Sequence, residues 1–428
     1  MAFSSLRPLR SRNFALVWSA ALVSNAGSWM QTVALGILVY ARTHQPGWTG
    51  LVAAAAFVPL GLLSPVGGVL ADRFDRRRWL IVSTLGETAC AVLLTALVAT
   101  DHVEPGLVVV VAMVGGAAGA LGFPSYQAML PDLVPASDLL GAVSLSSAQF
   151  NLGRVIGPAA AGLALLHHDY AVAFGANAAS FLAVVVALSL VRLPPQPVAA
   201  GDAGIRERLR QGVRTAREED GCRSAIILIS IVALLASPFI ALVPAMSAAL
   251  GHGSGGTAAL VTAQGVGAVL GALALPSLAE RFGRRRVVLV ALFVLPLLLV
   301  TYGAAPTLWW SVAAFTLVGA GYIAVLTGLN TVVQLRAPKA SRGRVLGLYM
   351  MALGIVYPIG AVVQGLIADR TGIRGVTAGG AVALLVVLVG CAALRPGLLA
   401  ALGDLPPAGT RVGARVAVPV MLPTEELP

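Results

Sequence analysis

Long apolar runs alternate with short polar turns along almost the whole chain. Twelve runs reach the ~20 residues that a helix needs to cross the hydrocarbon core of a bilayer, and a longer polar segment separates them into two sets of six. They cover residues 14–40, 48–71, 79–100, 106–129, 138–166, 171–193, 224–250, 257–279, 287–304, 308–334, 344–367 and 375–394. The pattern predicts an all-α polytopic membrane protein with twelve transmembrane helices in two six-helix halves.

Composition supports the membrane assignment. Hydrophobic residues make up 58% of the chain and charged residues 11%, whereas a soluble domain carries about 25% charged residues. Ten-residue segments of alternating polarity are absent, which argues against an outer-membrane barrel. Arg7, Arg10 and Arg12 precede the first apolar run, and no small-residue cleavage site follows it, so this run is predicted to remain as the first span.

The basic residues sort to one side of the predicted membrane. With both termini in the cytoplasm, 25 of the 29 Lys and Arg residues fall in cytoplasmic tails and loops or at their edges. Arg42, Arg370 and Arg374 fall outside, and Arg154 lies within a span. This bias orients multi-pass proteins in the inner membrane. The net charge of +11 is therefore explained by topology, and no nucleic-acid partner is expected.

Residues 68–78 and 276–286 are two copies of one charged segment. Seven of their eleven positions are identical, at an offset of 208 in a chain of 428. Both copies lie between apolar runs in turns predicted to be cytoplasmic, and two-fold repeats are common in secondary transporters. The chain is predicted to comprise an N-terminal six-helix half (1–193), a cytoplasmic linker (194–222), a C-terminal six-helix half (223–395) and a flexible cytoplasmic tail (396–428).

The linker has a basic amphipathic pattern. Ile205, Leu209 and Val213 recur at four-residue spacing, with arginines between and after them. The pattern predicts a helix. Such a helix either lies on the inner membrane surface or is a solvated connection between the halves.

The segment 68–78 resembles the loop between spans two and three of the major facilitator superfamily. That pattern has Gly, three residues, Asp, a basic residue, any residue, Gly, and then further basic residues. Here Asp75 replaces the second Gly, and in the second copy Pro276 and Glu280 replace the first Gly and the Asp. The resemblance covers about residues 10–395 and implies the twelve-helix fold of that superfamily.

Span five contains Gly153-Arg154-Val-Ile-Gly157-Pro158, which resembles the Gly-Pro motif of the superfamily's proton-driven exporters, although the usual pair of adjacent glycines close to the proline is absent. Together with Asn151 and the segment 130–135, it is similar to the branch of enterobactin exporters and macrolide-efflux proteins, the transmembrane secretion effectors. The basic residue that many drug exporters carry in span four is missing.

The resemblance gives the repeated turns a role in conformational change. Asp72 is expected to face the start of span eleven near residues 341–344, where a helix N-terminus favours a carboxylate, and Arg76 is expected to pair with Asp132. These contacts would close the cytoplasmic side in the outward-facing state; alternatively, the arginines only anchor topology. The expected gating residues are Gly68, Asp72, Arg73, Arg76, Arg77, Asp132, Glu280, Arg281, Arg284, Gly157 and Pro158.

Two charged residues lie deep within apolar spans, where a charge is costly unless it faces protein or water. Arg154 either lines the cavity and holds an anionic group, or is a structural residue bonded to span-end carbonyls or to Asn151. Glu87 lies eight residues into span three. Glu87 and Asp72 are the candidates for carrying a proton, and a structural hydrogen bond is the alternative role of Glu87.

Polar and aromatic residues on cavity-lining spans are the candidates for substrate contact, although each could instead form an interhelical hydrogen bond. The set contains few charges and so suits an amphipathic substrate. It comprises Asn25, Trp29, Gln31, Gln127, Asn151, Arg154, Asn330, Gln334 and Tyr357.

Residues and resemblance together favour a secondary active transporter. The function expected is proton-coupled export of amphipathic small molecules, such as a drug, siderophore or secondary metabolite, by alternating access. The alternatives are an importer or facilitator of the same fold and a non-transporting membrane sensor. The sequence has no nucleophile–base pair, metal-ligand spacing or phosphate-binding loop. We therefore expect a monomeric non-enzyme, without cofactor or metal, whose partners are a small-molecule substrate and the lipid bilayer.

Overall fold

The computed structural model describes residues 6–165, 169–191, 193, 205–338 and 341–403. Most of the predicted flexible tail and the first part of the predicted linker lie outside these ranges. Nine side chains within the ranges also lie outside the description, and they include the predicted site residues Asp72 and Asn151. The nine are Asp72, Ala136, Leu140, Asn151, Val155, Ile205, Arg206, Arg208 and Leu209.

All regular structure in the described part of the chain is helical. Short 3₁₀ helices cover Arg7–Arg10, Leu130–Leu133, Ala136–Asp138 and Ser237–Ile240. The α-helices are α1 (Arg12–Thr43), α2 (Pro46–Arg73), α3 (Arg76–Ala99), α4 (Pro105–Met129), α5 (Leu139–Ala164), α6 (Tyr170–Leu190), α7 (Ile205–Glu218), α8 (Asp220–Leu235), α9 (Val243–Ala249), α10 (Ser254–Phe282), α11 (Arg284–Gly303), α12 (Leu308–Arg336), α13 (Arg342–Thr371), α14 (Ile373–Leu394) and α15 (Pro396–Ala400).

Ten described helices, α1–α4, α6 and α10–α14, are long and apolar enough to cross a membrane. The predicted all-α membrane fold is confirmed, but the count of twelve spans is not matched in full. The predicted fifth span is the 26-residue helix α5, which is outside the ten. The predicted seventh span is divided into α8, a 3₁₀ turn and α9. Pro238 and Pro244 explain the division, because proline lacks the backbone N–H that continues a helix and collides with the preceding turn.

The spanning helices pack as two groups. In the first group, α2 packs on α4, while α1 packs on α5 and α6; in the second, α12 packs on α10 and α11, and α8 packs on α13. The two groups meet along two helix pairs, α2 with α13 and α5 with α10. An apolar core runs through the second group, in which Leu228, Leu292 and Phe315 are almost fully buried.

The two groups meet directly at one end of the bundle. We call the end with the turns after α2 and α10 the arginine end, and the end with the turns after α1 and α13 the opposite end. At the opposite end Gly47 N lies 2.9 Å from Asp369 Oδ1, and a Cβ on Gly162 would lie only 2.8 Å from Ala258 Cβ. The groups are therefore in direct contact at the opposite end.

The two copies of the repeated turn are built differently. In the first copy, Asp75 is the N-cap of α3, and its carboxylate accepts a hydrogen bond of 2.8 Å from Arg78 N. In the second copy, Gly283 occupies the same place with φ +83°, which favours glycine. Asp75 therefore replaces the motif glycine by capping the next helix instead of adopting a left-handed conformation.

Asp75→Ala is expected to lower the stability of the protein by ~1 kcal/mol, because the first turn of α3 loses its cap. Asp75→Gly should lower the stability by only a few tenths of a kcal/mol, because glycine is a better N-cap residue than alanine. The apparent Tm in one detergent at one scan rate measures both. Glu104→Ala is the control, since Glu104 precedes α4 without a side-chain cap bond. Equal losses in Asp75→Ala and Glu104→Ala would contradict the capping role.

The linker helix α7 packs against the second group at the arginine end. Val213 contacts the apolar core of that group, Ala216 is buried, and Arg344 Nη1 donates a hydrogen bond of 2.8 Å to Gln211 Oε1. Arg210 and Arg217 are exposed. Contact with α13 was not anticipated by either interpretation of the linker pattern. At the start of the predicted tail, α15 is helical and its Leu399 is buried.

Candidate functional site

A cavity of about 350 Å³ lies between the two helix groups. Residues from α1, α2, α3, α4, α5, α6, α9, α10 and α13 line it, and most of them are apolar. Cavities of this size and character are typical of small-molecule sites. The aromatic members are Trp29, Phe57, Phe123, Phe181 and Tyr357.

Tyr357 and Phe57 join the two groups at the wall of the cavity. Their rings meet edge to face, with centroids 5.6 Å apart, a favoured geometry for aromatic pairs. Tyr357 on α13 is buried. The predicted contact residue Tyr357 thus lines the cavity from the second group.

Arg154 lines the cavity from α5. Its guanidinium carbon lies 5.1 Å from the centroid of the Trp29 ring, within the range of a cation–π contact. The Trp29 ring in turn packs edge-on against Phe150. The cavity-lining position predicted for Arg154 is thus present, with the guanidinium over Trp29. A bond to Asn151, the alternative, involves a side chain outside the described part of the chain.

Glu87 lines the same cavity from α3, beside Cys90. A Cβ on Gly119 would lie 2.7 Å from Glu87 Oε1, so the carboxyl group rests on the glycine surface of α4. Among the described residues, Glu87 has no hydrogen-bond partner, and no ion pair within 4 Å joins it to Arg154. The structural hydrogen bond expected as its alternative role is therefore not found in the described part of the chain.

Asn177 is a cavity residue that sequence analysis missed. Its Nδ2 donates a hydrogen bond of 2.9 Å to Oε1 of the predicted residue Gln31, and both line the cavity. Asn177 lies on α6 and is fully buried. The signal was present, because Asn177 is the one amide side chain in a mostly apolar helix.

Four of the other predicted contact residues lie away from this cavity. Asn25 is at the crossing of α1 and α5, where its Cβ would be 2.8 Å from a Cβ on Gly153. Gln127 is exposed near the arginine end of α4. Asn330 and Gln334 bond to each other at 2.5 Å near the arginine end of α12. Asn151 has a side chain outside the described part.

At the arginine end, the first repeated turn binds neighbouring helices of its own group. Arg76 Nη1 lies 3.6 Å from Asp132 Oδ2 and donates a 3.1 Å hydrogen bond to the Ala128 carbonyl. Arg77 Nη2 donates a 2.8 Å hydrogen bond to the Ser189 carbonyl. The predicted pair of Arg76 and Asp132 is therefore present. Arg73 is exposed.

The second repeated turn is more loosely held. Glu280, Arg281 and Arg284 are exposed, and none of them forms an ion pair within 4 Å in the described part of the chain. Arg281 packs over the ring of its neighbour Phe282. The sequence of this second copy also departs further from the family pattern, since Pro276 and Glu280 replace its Gly and Asp.

The glycines of the two motifs have different surroundings. A Cβ on Gly157 would lie 2.5 Å from both the Ala26 carbonyl oxygen and Trp29 Cβ, so α1 and α5 cross in close contact there. Pro158 follows it and lines the cavity. By contrast, a Cβ on Gly68 would meet no atom within 4 Å.

The sequence matches a known family over most of its length. Residues 3–400 match the model of the family described as "Transmembrane secretion effector", which is one of the major facilitator families. The chain belongs to this family. The predicted resemblance is thereby confirmed, and the transmembrane secretion effectors are transporters, not enzymes.

Two similar proteins are named as an efflux pump and an exporter. The chain is 25% identical to the multidrug efflux pump Tap of Mycolicibacterium fortuitum over 84% of this chain and 90% of that protein. It is 28% identical to the enterobactin exporter EntS of Escherichia coli O1:K1 / APEC over 88% and 92%.

A solved structure supports the fold. The chain superposes on a bacterial homologue of the human lysosomal transporter Spinster with a TM-score of 0.70 at 16% identity, covering 92% of this chain and 97% of that one. This likeness shows the major facilitator fold of a multi-pass membrane protein.

Proposed function

We propose that this protein is a proton-coupled secondary active exporter of amphipathic small molecules. The observation that carries the proposal is the cavity between the two helix groups. Its described lining is mostly apolar, and it contains two charged side chains, Glu87 and Arg154, that are not paired with each other. An apolar body with one or two polar groups suits such a lining, and a carboxyl group without a partner can bind and release a proton.

The relatives support the direction of transport. Tap is named a multidrug efflux pump and EntS an enterobactin exporter. We therefore propose export, with a drug, a siderophore or a secondary metabolite as substrate.

The contacts between the helix groups support alternating access. They join the groups at the opposite end, at Gly47 with Asp369 and at Gly162 with Ala258. The positive-inside rule makes the arginine end cytoplasmic, so both termini are proposed to be cytoplasmic and the closed end to face outward. The Spinster homologue is titled inward-facing, and we propose that state here. We also propose that one chain suffices for transport, because both groups and the cavity belong to it.

Transport into inverted membrane vesicles tests the proposal. Vesicles from expressing and non-expressing cells receive a panel of fluorescent drugs and siderophores, with the lumen acidified or at the external pH. We expect accumulation that requires both the protein and the acidic lumen, and that an uncoupler abolishes. Accumulation down the substrate gradient alone, indifferent to pH, would instead support a facilitator. No movement of any substrate in the panel would favour the non-transporting sensor.

A further inference from the structure

A third copy of the charged segment lies at the end of α13. Residues 365–374 read Gly-Leu-Ile-Ala-Asp-Arg-Thr-Gly-Ile-Arg. Aligned with residues 68–77, they share the Gly, the Ala, the Asp, the Arg after it and the final Arg. They also keep the interior glycine of the motif as Gly372, whose φ of +83° equals that of Gly283 in the second copy. The third copy lies at the opposite end, where the other two are absent.

The aspartate of the third copy contacts the facing helix directly. Gly47 N–H donates a hydrogen bond of 2.9 Å to Asp369 Oδ1. Gly47 is the second residue of α2, so its N–H is one of those that the helix leaves without an internal partner. A carboxylate is favoured at this position by the helix dipole as well as by the hydrogen bond.

Glycines allow the two helices to approach so closely. A Cβ on Gly47 would lie 2.5 Å from Asp369 Oδ2, and a Cβ on Gly365 would lie 2.8 Å from the Pro46 carbonyl oxygen. Further along the same crossing, a Cβ on Gly354 would lie 3.2 Å from Gly61 Cα. The start of α2 therefore packs on the end of α13, and the two helices run antiparallel.

From these contacts we infer that Asp369 is a gating residue that latches the opposite end shut by binding the N-terminus of α2. The latch is released when α2 and α13 separate at that end. The arrangement has a counterpart in the sequence, because Asp72 lies in the last turn of α2 at the arginine end, where α13 begins. Each helix of the pair thus carries an aspartate in its last turn, at the end where the other helix begins. This inference rests on the proposed alternating access of the two groups.

Hydrogen–deuterium exchange by mass spectrometry on the full-length protein in lipid nanodiscs tests the latch. In Asp369→Asn, we expect roughly two- to fivefold faster exchange in residues 46–57, the range for one charge at an exposed helix N-terminus. We expect slower exchange at the start of α13, because that end closes as the other opens. Gly47→Ala should give a larger change of the same kind, since its Cβ would displace Asp369.

Matched controls separate the latch from general disturbance. Asp101→Asn breaks the ion pair with Arg42 at the same end but within the first group. Gly106→Ala changes the second residue of α4, which also begins Pro-Gly but has open space around Gly106. Both should exchange like the unchanged protein. Unaltered exchange in Asp369→Asn, or an equal change in Asp101→Asn, would overturn the latch. Asp369→Asn could also give faster exchange at residues 46–57 and slower exchange at the start of α13 while the protein transports no substrate. That result would support the latch and refute the proposed function.

Discussion

Glu87→Gln is expected to abolish accumulation of substrate against its gradient while leaving exchange down a gradient intact. Glutamine keeps the shape and hydrogen-bonding capacity of the side chain but does not exchange a proton. If Glu87 carries the proton, the variant still binds substrate in the cavity and still alternates between states. It no longer couples these steps to the proton gradient.

Loss of stability would not explain that result. Glu87 has no hydrogen-bond partner among the described residues, and a charge within the membrane carries a cost of roughly 2.5–3.5 kcal/mol. Removing the ionisable group therefore should not weaken the fold. Thermal unfolding and membrane abundance check this point on the same samples.

The measurement compares two assays in the same inverted vesicles. One follows uptake driven by an acidic lumen, and the other follows exchange of labelled for unlabelled substrate without a pH gradient. Cys90→Ser is the matched control, because Cys90 lies one turn from Glu87 and lines the same cavity. Glu87→Asp should keep part of the coupling. Full gradient-driven uptake in Glu87→Gln would show that the proton is carried elsewhere.

Local sequence patterns predicted the helices well because each helix is set by local composition. Runs such as 257–279 and 375–394 became α10 and α14, with ends extended by one to three residues at most sites. The break after α8 was missed, although Pro238 and Pro244 lie within the predicted seventh span. That run was predicted as one span because it is hydrophobic throughout, although proline interrupts helices.

The cavity was harder to predict because its lining depends on how helices pack. Trp29, Gln31, Arg154 and Tyr357 lie in its lining, and their contact with substrate stays a prediction. Glu87 reaches the cavity only because Gly119 leaves room for its carboxyl group on α4, and Asn177 reaches it through α6. The spacing of apolar residues in α3 and α6 does not indicate these contacts, because they join residues far apart in sequence.

The third copy of the charged segment was also not found from the sequence. The repeat in the two cytoplasmic turns is conspicuous because each copy carries several consecutive arginines. At the end of α13 the same framework has Ile373 where an arginine stands in both other copies. The framework residues that shape the turn and the latch are retained, whereas the charges that set topology are not. A search guided by charge therefore finds two copies and overlooks the third.

Gly157 and Gly68, one glycine from each recognised motif, should respond oppositely to alanine. Gly157 lies where α1 and α5 cross, and an added Cβ would lie 2.5 Å from the Ala26 carbonyl oxygen and from Trp29 Cβ. One of these is backbone, so the helices must separate. Because Trp29 also stacks on Arg154, the same displacement disturbs a charged group of the cavity. Gly68 has no atom within 4 Å of an added Cβ, so alanine fits there without strain.

Gly157→Ala is therefore expected to lower stability by about 1–3 kcal/mol, the usual range for overpacking, and to reduce transport. Gly68→Ala should be neutral or stabilise by up to about 1 kcal/mol, since it lowers the entropy of the unfolded chain. The apparent Tm in one detergent, at one scan rate and with equal expression, compares the two variants, and vesicle uptake is measured alongside. A Gly157→Ala protein as stable as the unchanged one would show that the crossing relaxes freely. Impaired transport in a fully stable Gly68→Ala protein would mean that Gly68 acts in a conformation where α2 has a close neighbour, as its place in the gating motif suggests.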